Sequence, residues 1–503
     1  MFKAAQGTTV VLTTFIHFTR RKMTMKRLVA LAIVAAFVFG SLGSAQAVDV
    51  KAAMTWELGF GWEDNTTFTD AKQGGHVDAF RAVQIISPQF TFISSETLQA
   101  VLAFEIGTTY FGNNVEDQSG GGIDADIATP TITAAFLDWS PAEKLQLRMG
   151  VQPVGLPSAA FGNPVLDTDV AGIVANYAFT ENVGVTAFWL RPFDRYFSTD
   201  DQTGGQNSKD EMDMFGFTVP LTFEGVSLTP WAMYARNGND SDYWNFRYGG
   251  EYGDPGNDFR YEGSSNLWWV GAALELSLLD PISIKIDAMY GASSSTKSAP
   301  EYAGWLVAGL FEYKTESAFG TPGLLAWYAS GDGKNDEAKN GGNGDFGRMP
   351  IVGTSACGFA PLSYGFSRPD DSMSEGLISS SGVGTWGIGL QLDGMTFVDK
   401  LSHALRLAYI QGTNDKRSVD ASGFTNSIDR VEYHKLTMGE GVYLTEKDHA
   451  IEFDFVTSYE VHDNLTIFLE ANYIYLDLDK KVWGDAYKTT DAWRAFVKFQ
   501  YEF

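Results

Sequence analysis

The feature that most limits the fold of this chain is an alternation of apolar and polar residues, which is clearest at its C-terminal end. From Trp493 to Phe503 every second residue is apolar and most are aromatic, whereas the positions between them are mostly charged or polar, with Phe496 as the exception. Successive side chains of a β-strand point to opposite faces, so a period of two indicates a strand. Taken alone, this segment fits either the closing strand of a β-barrel or the edge strand of a soluble β-sandwich.

Eighteen strand-like segments follow one another between residues 49 and 503, and short turns alternate with long loops between them; the period of two is clear in several segments and imperfect in others, such as residues 49–62 and 302–316. An even number of strands with short turns at one end and long loops at the other is typical of bacterial outer-membrane barrels. A β-sandwich or a propeller does not show this strict alternation. We therefore predict an all-β fold, a transmembrane antiparallel β-barrel of about 18 strands with short periplasmic turns and long external loops. Sixteen strands is the alternative, because short strands are easily miscounted.

The polarity of the strand faces supports a barrel that is apolar outside and polar inside. In residues 145–151, Leu145, Leu147 and Met149 alternate with Gln146 and Arg148. In a membrane barrel the apolar face meets lipid and the polar face lines the lumen, and a barrel of this size leaves an aqueous channel. The mean hydropathy of −0.11 and the lack of a long apolar run after residue 47 exclude a helical membrane bundle.

The N-terminal region has the three parts of a secretory signal peptide. Residues 25–27 are basic at positions 26 and 27, residues 28–39 are an apolar run, and residues 40–47 end in Ala45-Gln46-Ala47. This order predicts export and cleavage after Ala47. We interpret residues 1–24 as the product of a start codon assigned too far upstream. Residues 48–503 are then a single transmembrane barrel domain.

The charge of the chain argues against nucleic acid as a partner. The formal net charge is −26, and it becomes −32 for residues 48–503 because residues 1–47 hold six Lys or Arg and no acid. Phosphate binding requires clustered Lys and Arg. An acidic lumen would favour cations, but external loops could hold most of the acids, so the ion preference stays open.

We find no motif for catalysis or for a resident cofactor. The single cysteine, Cys357, excludes an intrachain disulfide, and no hydrolase, zinc-protease or phosphate-loop motif is present. Residues 331–345 carry Asp332, Asp336, Glu337 and Asp345, whose oxygens could bind calcium, although their spacing departs from known calcium loops. We predict no enzyme activity, no metal site and no cofactor, with calcium in the external loops as the one option left open.

The opening residues 48–62 (VDVKAAMTWELGFGW) and the terminal FQYEF, together with the signal peptide and the alternating strands, carry a family resemblance. The chain resembles general bacterial porins, and more closely the homotrimeric outer-membrane porins of sulfate-reducing bacteria. The resemblance covers the whole mature chain. It implies a trimer of barrels in the bacterial outer membrane, each with a pore for passive diffusion of small hydrophilic solutes and ions. It also implies contact with outer-membrane lipid, lipopolysaccharide and the barrel-assembly machinery.

The resemblance also implies site residues. In general porins the third long loop folds inward as a constriction, and here that loop is residues 153–169, with Asp167 and Asp169 as its acids. The opposing basic residues would be Arg148, Lys285, Arg406 and Arg494. The alternative is that the two aspartates cap ordinary turns. The outward aromatics of the last strand resemble the terminal signal that the assembly machinery recognises; they are Trp493, Phe499, Tyr501 and Phe503.

Two other functions stay open at this stage. One is a channel selective for a particular class of solute, and the other is a structural or adhesive surface barrel with a plugged lumen. The sequence leaves the solute undetermined.

Overall fold

The computed structural model describes most of the chain after residue 47. The described residues are 48–64, 78–112, 120–122, 130–194, 210–239, 241, 243–244, 263–296, 301–333, 345–354, 382–417, 443–483 and 490–503. The predicted signal peptide, the segment 1–24 and Cys357 lie outside them. No helix within the described residues has the length and hydropathy needed to cross a membrane.

Eighteen antiparallel strands form one closed β-barrel, as the count of eighteen strand-like segments predicted. In chain order they are β1 Asp49–Asp64, β2 Asp78–Ser95, β3 Leu98–Phe111, β4 Pro130–Ala142, β5 Leu145–Gly155, β6 Leu166–Ala178, β7 Gly184–Asp194, β8 Glu211–Thr218 continued by Leu221–Phe223, β9 Val226–Asn237, β10 Ser265–Leu279, β11 Ile282–Ser295, β12 Glu301–Tyr313, β13 Thr321–Ala329, β14 Thr385–Val398, β15 Leu401–Gly412, β16 His449–His462, β17 Leu465–Asp477 and β18 Thr490–Glu502. The alternative count of sixteen is wrong.

The first and last strands close the barrel. β1 and β18 pair from Thr55 opposite Glu502 to Asp64 opposite Trp493. Beyond this ladder, Met54 and Phe503 exchange two backbone hydrogen bonds of 2.9 and 3.1 Å. Closure gives each edge strand a partner, so no row of backbone donors and acceptors is left open.

Connections at one end of the barrel are short and those at the other are long, so we call them the short-turn end and the long-loop end. The interruption of β8 falls at Val219 and Pro220, where proline has no N–H to donate to a ladder. The longest connection at the short-turn end joins β12 and β13 and spans residues 314–320. Lys314 ties it to the preceding turn by donating its N–H to the Pro281 carbonyl at 2.7 Å.

Several strands are longer than the hydropathy pattern predicted. β5 and β6 continue toward the long-loop end with Pro153 opposite Asp169 and Gly155 opposite Asp167. Ladder hydrogen bonds hold these residues in strands although Pro, Gly and Asp weaken the strand signal. The loop predicted over residues 153–169 is therefore shortened to residues 156–165.

The two faces of the strands differ as the alternation predicted. On β15, Leu407 faces outward with 45% of its surface exposed, whereas the neighbouring Ala408 is buried inside. An aromatic row crosses the outer face of four adjacent strands in direct register, namely Trp189, Phe215, Tyr234 and Trp268. Aromatic side chains of this kind are favoured where a bilayer meets water.

A charge placed on the outer face should destabilise the barrel. We expect Leu407→Arg to lower the free energy of unfolding in lipid vesicles by roughly 2–4 kcal/mol, because the guanidinium would face hydrocarbon. Ala404→Arg is the matched control, since Ala404 lies on the same strand but on the inward face. Urea titration of both variants checks this, and equal destabilisation would contradict the assignment of the faces.

Candidate pore constriction

The loop after β5, residues 156–165, folds into the barrel. Leu156, Phe161 and Val165 are buried, and the Phe161 ring lies 5.3 Å from the Trp327 ring on β13. Gly382 packs against the Phe161 ring with a φ of +69°. A Cβ atom at this position would come within 2.5 Å of the ring. The loop therefore reaches across the interior from β5 and β6 to β13. We call it the constriction loop.

A single carboxylate on β11 holds the tip of the constriction loop. Asp287 accepts hydrogen bonds from the Ser158 hydroxyl at 2.7 Å and from the N–H groups of Ala159, Ala160 and Phe161 at 2.7–2.8 Å. Hydrogen bonds to an ionised carboxylate are about twice as strong as neutral ones. The sequence analysis missed Asp287 as a site residue. The only signal at Asp287 in the sequence is its position on the inward face of a strand.

A second segment, residues 345–354, also crosses the interior, and we call it the strap. Its first residues pair in parallel with the start of β12, and its last residues pair in parallel with the start of β6. It joins the constriction loop where Val352 donates its N–H to the Val165 carbonyl at 2.8 Å. The long loop after β13, which was predicted to be external, thus sends one segment inside the barrel.

The strap and the constriction loop pack against an apolar part of the barrel wall. Trp269 donates its indole N–H to the Pro350 carbonyl at 2.7 Å, and the Tyr243 hydroxyl donates to the Ile351 carbonyl at 2.6 Å. The buried side chains around them are Leu190, Met212, Met214, Trp231, Met233, Leu267, Met349 and Ile351. Apolar packing fills the interior beside β6–β13, which departs from the predicted polar lining.

A buried ion pair anchors the strap. The Arg348 guanidinium lies 2.8 Å from the Asp332 carboxylate, and the two side chains are 2% and 1% exposed. Tyr443 donates its hydroxyl to the same carboxylate at 3.0 Å, and the Asp332 N–H bonds to the Asn414 side chain at 2.9 Å. Four separate segments of the long-loop end therefore meet at Asp332.

This pairing changes the interpretation of the acidic segment 331–345. Asp332 forms an ion pair with Arg348. Asp336 and Glu337 lie outside the described residues, and so does the side chain of Asp345. In the part of the chain that the structure describes, no group of three His, Cys, Asp or Glu could hold a metal ion. The calcium option stays an untested prediction.

A second polar cluster ties the loops around β16. The Asp448 carboxylate accepts hydrogen bonds from the Thr445 hydroxyl at 2.6 Å, the Asp479 N–H at 2.8 Å and the Trp483 indole N–H at 2.9 Å. Burial raises the pKa of Asp448 above its ordinary value although these donors oppose the rise. The donors hold residues 445–448 and 479–483 together.

Asp167 and Asp169 do not lie at the constriction, so their predicted placement is wrong. Both lie in a strand, and their positions in it place their side chains on the outward face. Both belong to β6 and alternate with the buried Leu166 and Val170, so they share the outward face with the exposed Ile173. The sequence analysis placed them in a loop, where the parity of a strand does not apply. The acid that contacts the constriction loop is Asp287 instead.

The four basic residues face the interior, and Arg148, Lys285 and Arg406 contact acids on their own part of the wall. Arg148 forks onto Asp138 at 2.7 and 2.9 Å, Lys285 lies 2.9 Å from Glu312, and Arg406 lies 3.6 Å from Asp393. Arg494 is buried, with its guanidinium 5.1 Å from the centre of the Phe496 ring. Residues 156–165 contain no acid, so these positive charges do not oppose acids on the constriction loop.

Charged residues also line a cavity at the short-turn end. The cavity has a volume of about 730 Å³ and is lined by residues that include Lys285, Glu312 and Asp393. Lys285 is the inward residue next to Asp287 on β11, so this space opens beside the level of the constriction loop tip.

The C-terminal aromatics lie on the outward face of β18. Trp493, Tyr501 and Phe503 are exposed, and the Phe499 ring contacts Phe60 of β1 edge to face at 6.4 Å. Their predicted role in assembly stays a prediction.

Comparison with known proteins supports the fold. No family model matches the chain, and no curated protein matches it. Among solved structures, OccAB3 of Acinetobacter baumannii is 12% identical, with a TM-score of 0.52 over 90% of this chain and 100% of that one. OccK8 (OprE) and the outer membrane protein opdK, both of Pseudomonas aeruginosa, are each 12% identical with a TM-score of 0.48 over 90% of this chain and 98% and 99% of theirs. At this identity, the likeness to OccAB3 concerns the fold alone.

Removal of the Asp287 carboxylate should release the tip of the constriction loop. In a Cys357→Ser background with Ser158→Cys as a probe, we expect Asp287→Ala to raise the rate of maleimide labelling about tenfold or more, because three backbone donors lose their charged acceptor. Glu312→Gln is the control, since it removes another inward carboxylate, which is paired with Lys285. Unchanged labelling in Asp287→Ala would show that the loop is held by other contacts.

Separation of the buried pair should loosen the strap. We expect Arg348→Met to lower the free energy of unfolding by roughly 3–5 kcal/mol, because the Asp332 carboxylate would stay buried without its cation. The double variant Asp332→Asn with Arg348→Met should lose less than the sum of the single variants, as measured by urea titration in detergent micelles. Additive losses would exclude direct coupling between the two side chains.

Proposed function

We propose that the chain forms a channel in the bacterial outer membrane through which small hydrophilic solutes and ions diffuse passively. The observation that carries this proposal is the closed 18-strand barrel with an apolar outer face and charged residues on the inner face. A barrel of this strand number encloses more space than its own side chains fill. The charged inner wall would solvate ions and polar solutes on their way through the barrel.

The two inserted segments divide the interior of the barrel, which supports a solute path that lies away from the barrel axis. The constriction loop and the strap pack against β6–β13, where Lys285, Asp287 and Glu312 are also inward, whereas further inward ion pairs lie on β14–β18 and β1–β5. We propose that solutes pass along this charged wall, which we define as the inward face of these ten strands. Transport would need no catalysis and no cofactor.

The cellular setting is part of the same proposal. Export through a signal peptide over residues 25–47 would deliver the chain to the assembly machinery, and the outward aromatics of β18 would be the segment recognised there. We also propose a homotrimer of barrels, each with its own pore. Lipid would contact the apolar outer face, and lipopolysaccharide would surround the long-loop end.

A channel selective for one class of solute is the second candidate. The observation that favours it is the pair of inward segments that narrow the barrel, since a narrow passage discriminates by size and by polar contacts. Saturable block of the current by a single solute would distinguish this candidate from an unselective pore.

Planar-bilayer recording of the purified, detergent-extracted protein tests the proposed function. We expect stepwise increases of conductance on insertion, and closures in groups of three if the protein is a trimer. An empty-vesicle control and a heat-denatured sample should give no steps. The absence of steps over many insertions would refute the channel and favour a plugged surface barrel.

A further inference from the structure

A histidine and a threonine lie on the outer face of the barrel at a height where the neighbouring strands are apolar. His403 on β15 shares the outward face with the exposed Leu407, and Thr457 on β16 shares it with the exposed Tyr459. His403 and Thr457 are directly opposite each other in the ladder. In the same register the next three strands carry Leu469, Val497 and Phe60. On these five strands, the polar outward residues at this height are therefore on β15 and β16.

This height falls inside the apolar band of the outer face. Trp56 and Tyr501 are opposite each other on β1 and β18, four residues nearer the short-turn end than Phe60 and Val497. Such aromatic side chains are favoured where a bilayer meets water. The height of His403 is therefore about 13 Å along the strand from that boundary, on its hydrocarbon side. A histidine within the hydrocarbon is unfavourable unless it contacts protein or water.

The imidazole ring of His403 is held by one hydrogen bond and by neighbouring rings. Its Nδ1 lies 2.8 Å from the Thr457 hydroxyl oxygen. The Phe455 ring stacks on it at 5.9 Å with an interplanar angle of 14°, and the Phe397 ring lies 6.4 Å away. The ladder between β14 and β15 shifts register on both sides of Met395, the residue opposite His403. Bulges of this kind redirect side chains, and here Phe397 lies next to the imidazole.

Each partner of this hydrogen bond keeps a hydrogen-bonding group that the described part of the chain does not use. If the Thr457 hydroxyl donates to Nδ1, then Nε2 of the neutral His403 carries the proton and the hydroxyl oxygen can still accept. If Nδ1 donates instead, Nε2 is an acceptor and the hydroxyl proton is available. In both tautomers the pair offers one donor and one acceptor, and hydrocarbon satisfies neither.

A second copy of this chain has the groups that complete the pair. His403 and Thr457 lie side by side at one height, so a two-fold axis along the membrane normal between them sets His403 of one copy against Thr457 of the other. The donor of each copy then meets the acceptor of the other, and two equivalent hydrogen bonds form. A contact that uses the same patch on both sides is isologous. Lipid acyl chains offer no such group at this height.

We propose that the outward face of β15 and β16 around His403 and Thr457 is an interface between two copies of the barrel. The exposed rings of Phe319 and Phe397, which meet edge to face at 5.5 Å, extend this face toward the short-turn end. The interface rests on the proposed membrane setting of the barrel and not on its conductance. It pairs two barrels and adds to the proposed trimer, because a threefold ring joins two different faces.

Cross-linking at one outward position tests the interface. In a Cys357→Ser background, Leu405→Cys places a thiol one outward position from His403. A short apolar bismaleimide should join two copies in lipid vesicles, at a protein density where cross-linking is incomplete. We expect His403→Leu to lower the yield of cross-linked dimer about tenfold, because two hydrogen bonds in hydrocarbon are lost. Thr457→Val should give the same loss, and the double variant should lose no more than either single variant.

The chain offers a matched control for the histidine and one for the thiol. His449 is also an outward histidine, but it lies at the long-loop end of β16, 3.8 Å from Asp477. His449→Leu should leave the yield unchanged. Leu469→Cys, on β17 at the height of His403, should cross-link less than Leu405→Cys because it lies farther from the two-fold axis.

The outcomes separate this interface from the proposed function. No cross-linked dimer from Leu405→Cys, or an equal yield with and without His403→Leu, would overturn the interface and leave the channel standing. A loss of yield in His449→Leu as large as in His403→Leu would also overturn it. Absence of conductance in the wild-type protein would refute the channel and leave the cross-linking result standing. Retention of the compact, heat-modifiable form on gels shows that each variant is folded, and Thr457→Val provides the test if His403→Leu fails to fold.

Discussion

The structure depends on the pairing of every strand with two neighbours, so that no backbone edge is left open. The ladder between β1 and β18 and the reciprocal bonds of Met54 and Phe503 complete this ring. In hydrocarbon an unpaired N–H or C=O costs several kcal/mol, which leaves closed barrels as the only way for strands to span a bilayer. Closure also fixes which residues face lipid, because each strand alternates strictly around the ring.

Closure leaves an interior that the strands alone do not fill, and two inserted segments divide it. The constriction loop and the strap bury apolar residues against β6–β13, and each is held by a buried acid, Asp287 or Asp332. Inserted backbone carries polar groups that must be satisfied away from water, which explains why charged anchors occur inside an otherwise apolar region. The remaining wall keeps its charges, and these give the proposed path its electrostatic character.

Much of the fold could be predicted from the sequence, whereas the candidate site could be predicted only in part. The strand number and the inward parity of Arg148, Lys285, Arg406 and Arg494 agree with the alternation, because parity is a local property of each strand. Asp167 and Asp169 were assigned to a loop because Pro153 and Gly155 hide the end of β5. An error of a few residues in a strand boundary was enough to move two acids from the outer face to a predicted constriction.

The sequence by itself determined the barrel, its strand count and its two faces. The reason is that the alternation of apolar and polar residues can be seen within one segment, without knowing which strands pair with it. Only the tertiary structure decided where the interior is filled. Ser158 meets Asp287 across 129 residues of chain, and Tyr443 meets Asp332 across 111. Such contacts leave no periodic signal, because they depend on which loops turn inward once the ring has closed.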